Sequence, residues 1–368
     1  MGTIASINGA RASEKSILVT GAAGFIGANF VLDWVTLEQA AVVSLDKLTY
    51  AGNLDNLAGV ANNARHVFVH GDIGDIELVE ILLKRYRPTA VVNFAAESHV
   101  DRSIHGPADF IATNVVGTFR LLETTRAFYD NLGLPEKAAF RFLHVSTDEV
   151  FGSLVKDEPA FAETNRYQPN SPYSASKAAS DHLVRAWCHT YALPVLITNC
   201  SNNYGPYQFP EKLIPLTLHH ALTGMALPVY GDGQQRRDWL YVADHCTAIR
   251  TVLERGRIGE TYNIGGGSEQ ANLEVVHTLC NILDVERPRA DGRSYREQIE
   301  FVGDRPGHDR RYAIDAAKIA SELGWAPSET FETGIRKTVR WYLDNAKWVE
   351  RVMSGAYRDW LQKNYSNR

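Results

Sequence analysis

The chain is poor in the features that staple a fold or anchor it outside water. It has only four cysteines in 368 residues (Cys188, Cys200, Cys246 and Cys280), widely spaced and with no C-x-x-C pair. That argues against a disulfide framework or a thiolate zinc site and for reduced thiols in a cytoplasmic protein. No apolar run reaches the roughly eighteen residues a spanning helix needs. Residues 1–15 lack a long apolar centre and read as a tail before the first strand, not as a signal peptide. An excess of positive charge is also missing: the formal net charge is -5, so nothing suggests a nucleic-acid binder. The twelve histidines show no metal-ligand spacing, with His219-His220 reading as helix surface, so no metal is expected. No internal repeat or low-complexity segment is visible.

What is present is a rhythm. Short apolar runs at 17–20, 41–45, 66–70, 90–94, 140–145 and 195–198 predict strands, and the stretches 24–36, 76–86, 110–129 and 174–191 have the periodicity of helices. Strands this apolar, separated by helices, imply a parallel sheet covered on both faces. The predicted class is α/β: a doubly wound parallel sheet of Rossmann type, with ligands at the carboxyl ends of its strands. After Asn199, prolines and glycines break the rhythm. The expected division is a tail (1–15), a dinucleotide-binding domain (16–200, with a returning segment near 235–265), and a smaller mixed C-terminal substrate domain (201–234 and 266–368).

Gly21, Gly24 and Gly27 follow the first predicted strand and open the first helix. The first allows a tight turn, the second a close approach of backbone to a pyrophosphate, the third helix–strand packing. Phe25 and Ile26 start the helix, whose N-terminus offers N–H groups to phosphate. The spacing is G-x-x-G-x-x-G, and alone it fits a turn and a packing contact equally well. Asp46, ending the second strand, adds weight: a carboxylate there accepts from ribose hydroxyls and repels the extra phosphate of NADP. Lys47 blurs that choice, and Asp72-Ile73 falls where an adenine would sit. NAD is the predicted cofactor.

Tyr173 and Lys177 stand four residues apart, on one face of a helix. A phenol titrating near ~10 needs help to act as a base at neutral pH, and a nearby ammonium provides it; a surface pair at helical spacing is the plain alternative. About 25 residues earlier lie Ser146, Thr147, Asp148 and Glu149. Neighbours in a strand point to opposite faces, so the two carboxylates line one pocket only if the strand has ended. Otherwise they are a solvated loop.

Together, Gly21–Gly27, Asp46-Lys47-Leu48-Thr49, the run 95–103, Thr147-Asp148-Glu149 and Tyr173…Lys177 resemble the extended short-chain dehydrogenase/reductase family. Within it they are similar to the dTDP-glucose 4,6-dehydratases, as are Asn202-Asn203-Tyr204-Gly205-Pro206, Glu211-Lys212-Leu213-Ile214 and Asp304-Arg305-Pro306-Gly307-His308. The likeness runs from about residue 17 to residue 365. It departs at the N-terminal extension and at Arg236, where an apolar residue is expected.

The resemblance implies C4 oxidation of dTDP-glucose, elimination of water across C5 and C6, and hydride return, yielding a 4-keto-6-deoxy sugar for deoxysugar (rhamnose-type) biosynthesis. Tyr173 would be the base at the 4-hydroxyl, with Thr147 bonding that oxygen and Lys177 poising the phenol. Glu149 would take the C5 proton, and Asp148, protonated and so raised in pKa, would protonate the leaving C6 oxygen. The resemblance adds Leu48, Thr49, Phe94, Ala95, Ala96, Ser98, Thr113 and Asn203 to the NAD contacts. For substrate it implies Ser98, Asn202, Lys212, Leu213, Pro228, Tyr230, Arg237, Asn272, Asp304, Arg305, His308 and Tyr365, with Arg237 as leading diphosphate ligand. Salt bridging is the alternative for Lys212 and Arg305.

Three other readings compete. A nucleotide-sugar 4-epimerase has no use for Asp148-Glu149. A GDP-mannose dehydratase is disfavoured by Asp46, and a protein that merely holds NAD by the intact Tyr173/Lys177 pair. The resemblance also implies a homodimer joined through a four-helix bundle of the helices at 110–129 and 174–191; burial of both faces within one subunit is the rival.

Overall fold

The computed structural model describes residues 15–304 and 309–353. Seven strands form one parallel sheet: β1 (Ser16–Thr20), β2 (Ala41–Asp46), β3 (His66–His70), β4 (Ala90–Asn93), β5 (Arg141–Thr147), β6 (Val195–Cys200) and β10 (Thr261–Ile264), in the order β10-β6-β5-β4-β1-β2-β3. The order reverses between β1 and β4, which opens a crevice at the carboxyl ends of those two strands.

Alternation along the strands decides which core each side chain joins. In β1, Ile17 and Val19 pack with the helices Phe25–Leu37 and Val242–Arg255, whereas Leu18 packs with Ile76–Tyr86, Thr118–Asp130 and Pro172–Tyr191 on the opposite face. Both faces are covered, so the strands are apolar throughout, as their sequence predicts.

The six predicted strands all form, most of them slightly longer than expected. The helix expected at 110–129 forms with interruptions: Pro107–Phe110 is followed by a π-helical stretch, Ile111–Gly117, before Thr118–Asp130 begins. Such bulges recur at functional sites because they re-aim a side chain; here Thr113 and Asn114 lie in it.

The remaining strands lie outside the main sheet: β7 (Asn202–Tyr204), β8 (Leu227–Tyr230), β9 (Arg236–Tyr241), β11 (Glu269–Ala271) and β12 (Ile299–Val302). They form a three-stranded sheet, β11-β9-β7, and a parallel pair, β12-β8. With the helices Leu213–Thr223, Asn272–Glu286 and Phe331–Asp344 they enclose a separate core around Tyr204, Leu218, Val275, Leu279 and Ile335. Single bridges, Phe161 with Ile314 and Arg236 with Arg311, lace the late chain back across the seam.

Candidate active site

A cavity of about 290 Å³ occupies the crevice at the switch of strand order. Its floor is the glycine turn. Gly21 adopts φ +63°, and a Cβ there would stand 2.7 Å from the Ala95 nitrogen. At Gly27 a Cβ would come within 2.2 Å of the Gly21 carbonyl oxygen. The helix Phe25–Leu37 therefore starts directly against β1, with Gly24 at its N-cap and no side chain capping it. That exposes its first turn, including Phe25 and Ile26, to the cavity.

Asp46, 8% exposed at the end of β2, accepts from the backbone N–H of Ala23 (2.8 Å) and of Leu48 (2.8 Å). Its carboxylate braces the turn, while burial pushes its pKa up against those hydrogen bonds. Lys47 is held by Asp72 at 2.8 Å; with both partly open to solvent, the pair adds little stability. Leu48, in left-handed backbone at φ 53°, turns its side chain onto the core and does not line the cavity. Thr49, Ile73, Phe94, Ala95, Ala96, Ser98, Thr113 and Asn203 do.

β5 ends at Thr147, and a 3-10 turn, Asp148–Phe151, begins at once with Thr147 as its cap. The break in the strand lets Asp148 and Glu149 line the same cavity as Tyr173 and Lys177. Asp148 is 2% exposed; its Oδ1 accepts from the Thr147 hydroxyl (3.3 Å) and its Oδ2 has no hydrogen-bond partner among the described residues. Burial, then the neighbouring charges of Glu149 and Asp238, drive its pKa well above the carboxylate range. Burial therefore favours its neutral, protonated form.

The tyrosine departs from expectation. Burial and the charge of Glu149 push the Tyr173 phenol up, opposed by a hydrogen bond from Thr147. The Lys177 ammonium, which the four-residue spacing suggests would hold the phenol down, donates to the Val145 carbonyl (2.8 Å) and lies 3.3 Å from His144 Nε2. In the protein alone, burial is the largest influence on the phenol.

Among the residues expected to hold substrate, Asn202 and Lys212 line the cavity, with Lys212 Nζ donating to the Ser98 carbonyl (3.0 Å) instead of forming a salt bridge. Leu213 opens the next helix, outside the lining. Arg237, 5% exposed on β9, lies over the Tyr312 ring at 4.3 Å and bears on Asp148 electrostatically. Pro228 and Tyr230 sit on β8, Asn272 donates its backbone N–H to Gln235 (3.0 Å), and Asp304 accepts from the Gln235 amide (3.0 Å). Arg237, Pro228, Tyr230, Asn272 and Asp304 do not line the cavity. Arg305, His308 and Tyr365 lie outside the described residues.

Three side chains at the site were not singled out by residue type. Asn114 bonds the Glu97 backbone (2.9 and 3.0 Å) and the Ser176 hydroxyl (2.8 Å), tying the π stretch to the tyrosine helix. Glu211 accepts from Tyr50 (2.9 Å) and is pushed up to about 7 by burial. Tyr312 carries Arg237 and donates to Asp309. Glu211 stood inside a quoted motif; the other two gave no local signal. Among the described residues no helix is long and apolar enough to cross a membrane, and no cluster of His, Cys, Asp and Glu could hold a metal.

Comparison with known proteins agrees with this geometry. A family model described as GDP-mannose 4,6 dehydratase matches residues 18–338. The dTDP-glucose 4,6-dehydratase of Xanthomonas campestris pv. campestris is 64% identical over 341 residues, which is 93% of this chain and 97% of that one. The dTDP-glucose 4,6-dehydratase 1 of Escherichia coli K12 is 58% identical over 360 residues, 96% of this chain and 99% of that one. A solved dTDP-glucose 4,6-dehydratase from Streptomyces venezuelae, with NAD and TYD bound, superposes with TM-score 0.84 at 46% identity, covering 92% of this chain and 99% of that one. A UDP-glucose 4-epimerase from Thermotoga maritima shares the fold at TM-score 0.78 but only 28% identity, over 90% of this chain and 99% of that one. The paired carboxylates after β5 and the identity over nearly the whole length agree: the chain belongs to the dTDP-glucose 4,6-dehydratase family.

Proposed function

We propose that the protein is an NAD-dependent hydro-lyase converting dTDP-glucose to the 4-keto-6-deoxy sugar. The observation that carries this is the placement of Asp148, Glu149 and Tyr173 in one cavity with the glycine turn. The cradle fits NAD: Gly21 and Gly27 allow a backbone turn too tight for any Cβ, an uncapped helix start faces the cavity, and Asp46 at the end of β2 favours a ribose without a further phosphate. NAD supplies the hydride acceptor at C4 and the donor at C6 when bound.

The residues of the chain move the protons. Tyr173 takes the 4-hydroxyl proton, with Thr147 bonding the same oxygen and Lys177 supporting the phenolate. Glu149, partly open to the cavity, takes the C5 proton, acidified by the neighbouring ketone, and gives it back to C5 once C6 has been reduced. Asp148 gives its proton to the C6 oxygen as the C–O bond breaks, releasing water. Two adjacent carboxylates acquire opposite roles because one is buried and the other is not. Arg237, Asn202 and Lys212 hold the diphosphate side, with Arg305, His308 and Tyr365 from the remaining chain.

We divide the chain between these tasks as 16–200 with the segment near 235–265 for the cofactor, and 201–234 with 266–368 for the sugar nucleotide. A cytoplasmic location suits four cysteines that form no disulfide, and the product suits a rhamnose-type route. A homodimer is supported by the outward faces of the helices near 107–130 and 172–191, where Ile111, Val116, Phe119 and Tyr191 remain 39–47% exposed; light scattering at twice the chain mass tests it.

The activity test is incubation with dTDP-glucose and, separately, UDP-glucose, following the alkaline absorbance of the ketosugar. Ketosugar from dTDP-glucose is the expected result. A 4-epimer appearing without ketosugar would overturn the reading in favour of an epimerase.

A further inference from the structure

Behind the tyrosine helix lies a polar cluster that the proposed chemistry does not use. His144 on β5, Asp181 one turn beyond Lys177, and Lys177 itself are each at most 3% exposed. His144 Nε2 stands 3.3 Å from Lys177 Nζ and 3.4 Å from Asp181 Oδ1. Asp181 Oδ2 accepts from Ser146 (2.8 Å), Tyr167 (3.1 Å) and Asn199 (3.4 Å). These donors satisfy Oδ2 in the interior.

The tautomer of His144 follows from its other side. The Thr20 hydroxyl donates to the Asn93 side-chain oxygen (2.6 Å), which turns the Asn93 amide nitrogen onto His144 Nδ1 at 3.1 Å. That donation occupies the Nδ1 lone pair, so a neutral ring carries its proton on Nε2, beside Asp181 Oδ1 at 3.4 Å but outside hydrogen-bond geometry with it. In this state the imidazole cannot take a proton from Lys177. Burial and the lysine charge hold the ring neutral, lowering its pKa to about 4.

We infer that Asp181, acting through the fixed tautomer of His144, is the counter-ion that keeps Lys177 charged in the cavity it shares with Tyr173. It is a positioning residue, and the inference rests on the proposed partnership of Tyr173 and Lys177. The other titratable groups facing Lys177 are Tyr173 on its own helix and Cys200 on β6, whose thiol burial keeps protonated; Asp181 is the anion among them. Burial pulls the Lys177 pKa down and the Asp181 charge opposes it. Without Asp181 the lysine would lose its proton at lower pH.

The test compares kcat/KM against pH for wild type, Asp181→Asn, His144→Leu, His144→Gln and Lys177→Met holoenzymes. Asp181→Asn and His144→Leu should move the alkaline limb to lower pH by about one unit or more, while KM for the sugar nucleotide changes less than about threefold. His144→Gln, whose amide can donate to Asp181, should restore the wild-type limb. A wild-type limb in both Asp181→Asn and His144→Leu overturns the inference. If Asp181→Asn does not accumulate as folded protein, the His144 pair decides alone. Full activity in Lys177→Met would instead sink the catalytic reading of the lysine, a distinct outcome.

Discussion

The two ends of the cavity are built by opposite means. At the glycine turn the backbone makes the site: a left-handed Gly21, a Gly27 that admits the Gly21 carbonyl, and Asp46 bracing main-chain N–H groups. At the end of β5 side chains make it, and their charges are set by burial and by one another. A backbone site tolerates little change in shape but much in nearby charge. A side-chain site has the reverse sensitivity.

The sharpest break in that comparison comes from Asp148→Asn, which keeps shape and removes a proton. Turnover should fall by about 10³, while NAD stays bound and C4 oxidation remains visible as NADH absorbance. Turnover within threefold of wild type would remove Asp148 from the reaction. The same substitution should not destabilise the fold. The folded pKa lies above the unfolded one, so stability from the protonated form is complete below about pH 4 and lost as pH rises through the folded value. Near pH 7 the aspartate therefore carries a cost that asparagine does not, and Tm by circular dichroism should hold or rise.

Gly27→Ala tests the other end. A methyl 2.2 Å from a backbone oxygen forces helix and strand apart, with a destabilisation of about 1–3 kcal/mol and loss of co-purifying NAD. NAD release measured after denaturation reads it, and normal occupancy would show that the turn yields.

Arg237→Lys should be milder. It keeps the charge and loses the planar fork, raising KM for the sugar nucleotide by roughly tenfold with kcat little changed. A large fall in kcat would place Arg237 with the carboxylates, not with the anchors.

The smallest effect is Glu211→Gln. Its pKa, pushed up to about 7 by burial, makes stability fall as pH rises from the unfolded value near 4.5 toward 7. The Tm difference between pH 5 and pH 7.5 should shrink in the variant by roughly 2 °C. An unchanged difference would show that Glu211 titrates normally.

This contrast also explains what could be read before the structure. The turn was legible because glycine spacing encodes backbone geometry locally. The end of β5 was legible in outline: two carboxylates in a row require a broken strand, and Gly152 lies just beyond. Its electrostatics were legible only in part: a raised Asp148 pKa was expected, but not which distant groups act on it. Asp238 and Arg237, which act on Asp148, lie about 90 residues further along the chain. Lys177 was expected to govern Tyr173 from spacing alone, yet spacing does not reveal that Val145 and His144 draw the ammonium off. Asn114 was missed because its use depends on a π-helical stretch that no apolar periodicity announces, whereas Leu48 was expected at the cofactor and packs on the core instead, because a residue next to a binding motif need not face its ligand.

The placement of β10 governs how the protein must be made. β10 docks on β6 but is translated about 60 residues later, after β7, β8 and β9. At roughly 5–20 residues per second, the ribosome leaves the edge of β6 bare for several seconds. A bare edge is a template for pairing with another nascent chain. A fragment ended after β6 should consequently precipitate on expression, whereas one extended through β10 closes its own border and stays dispersed.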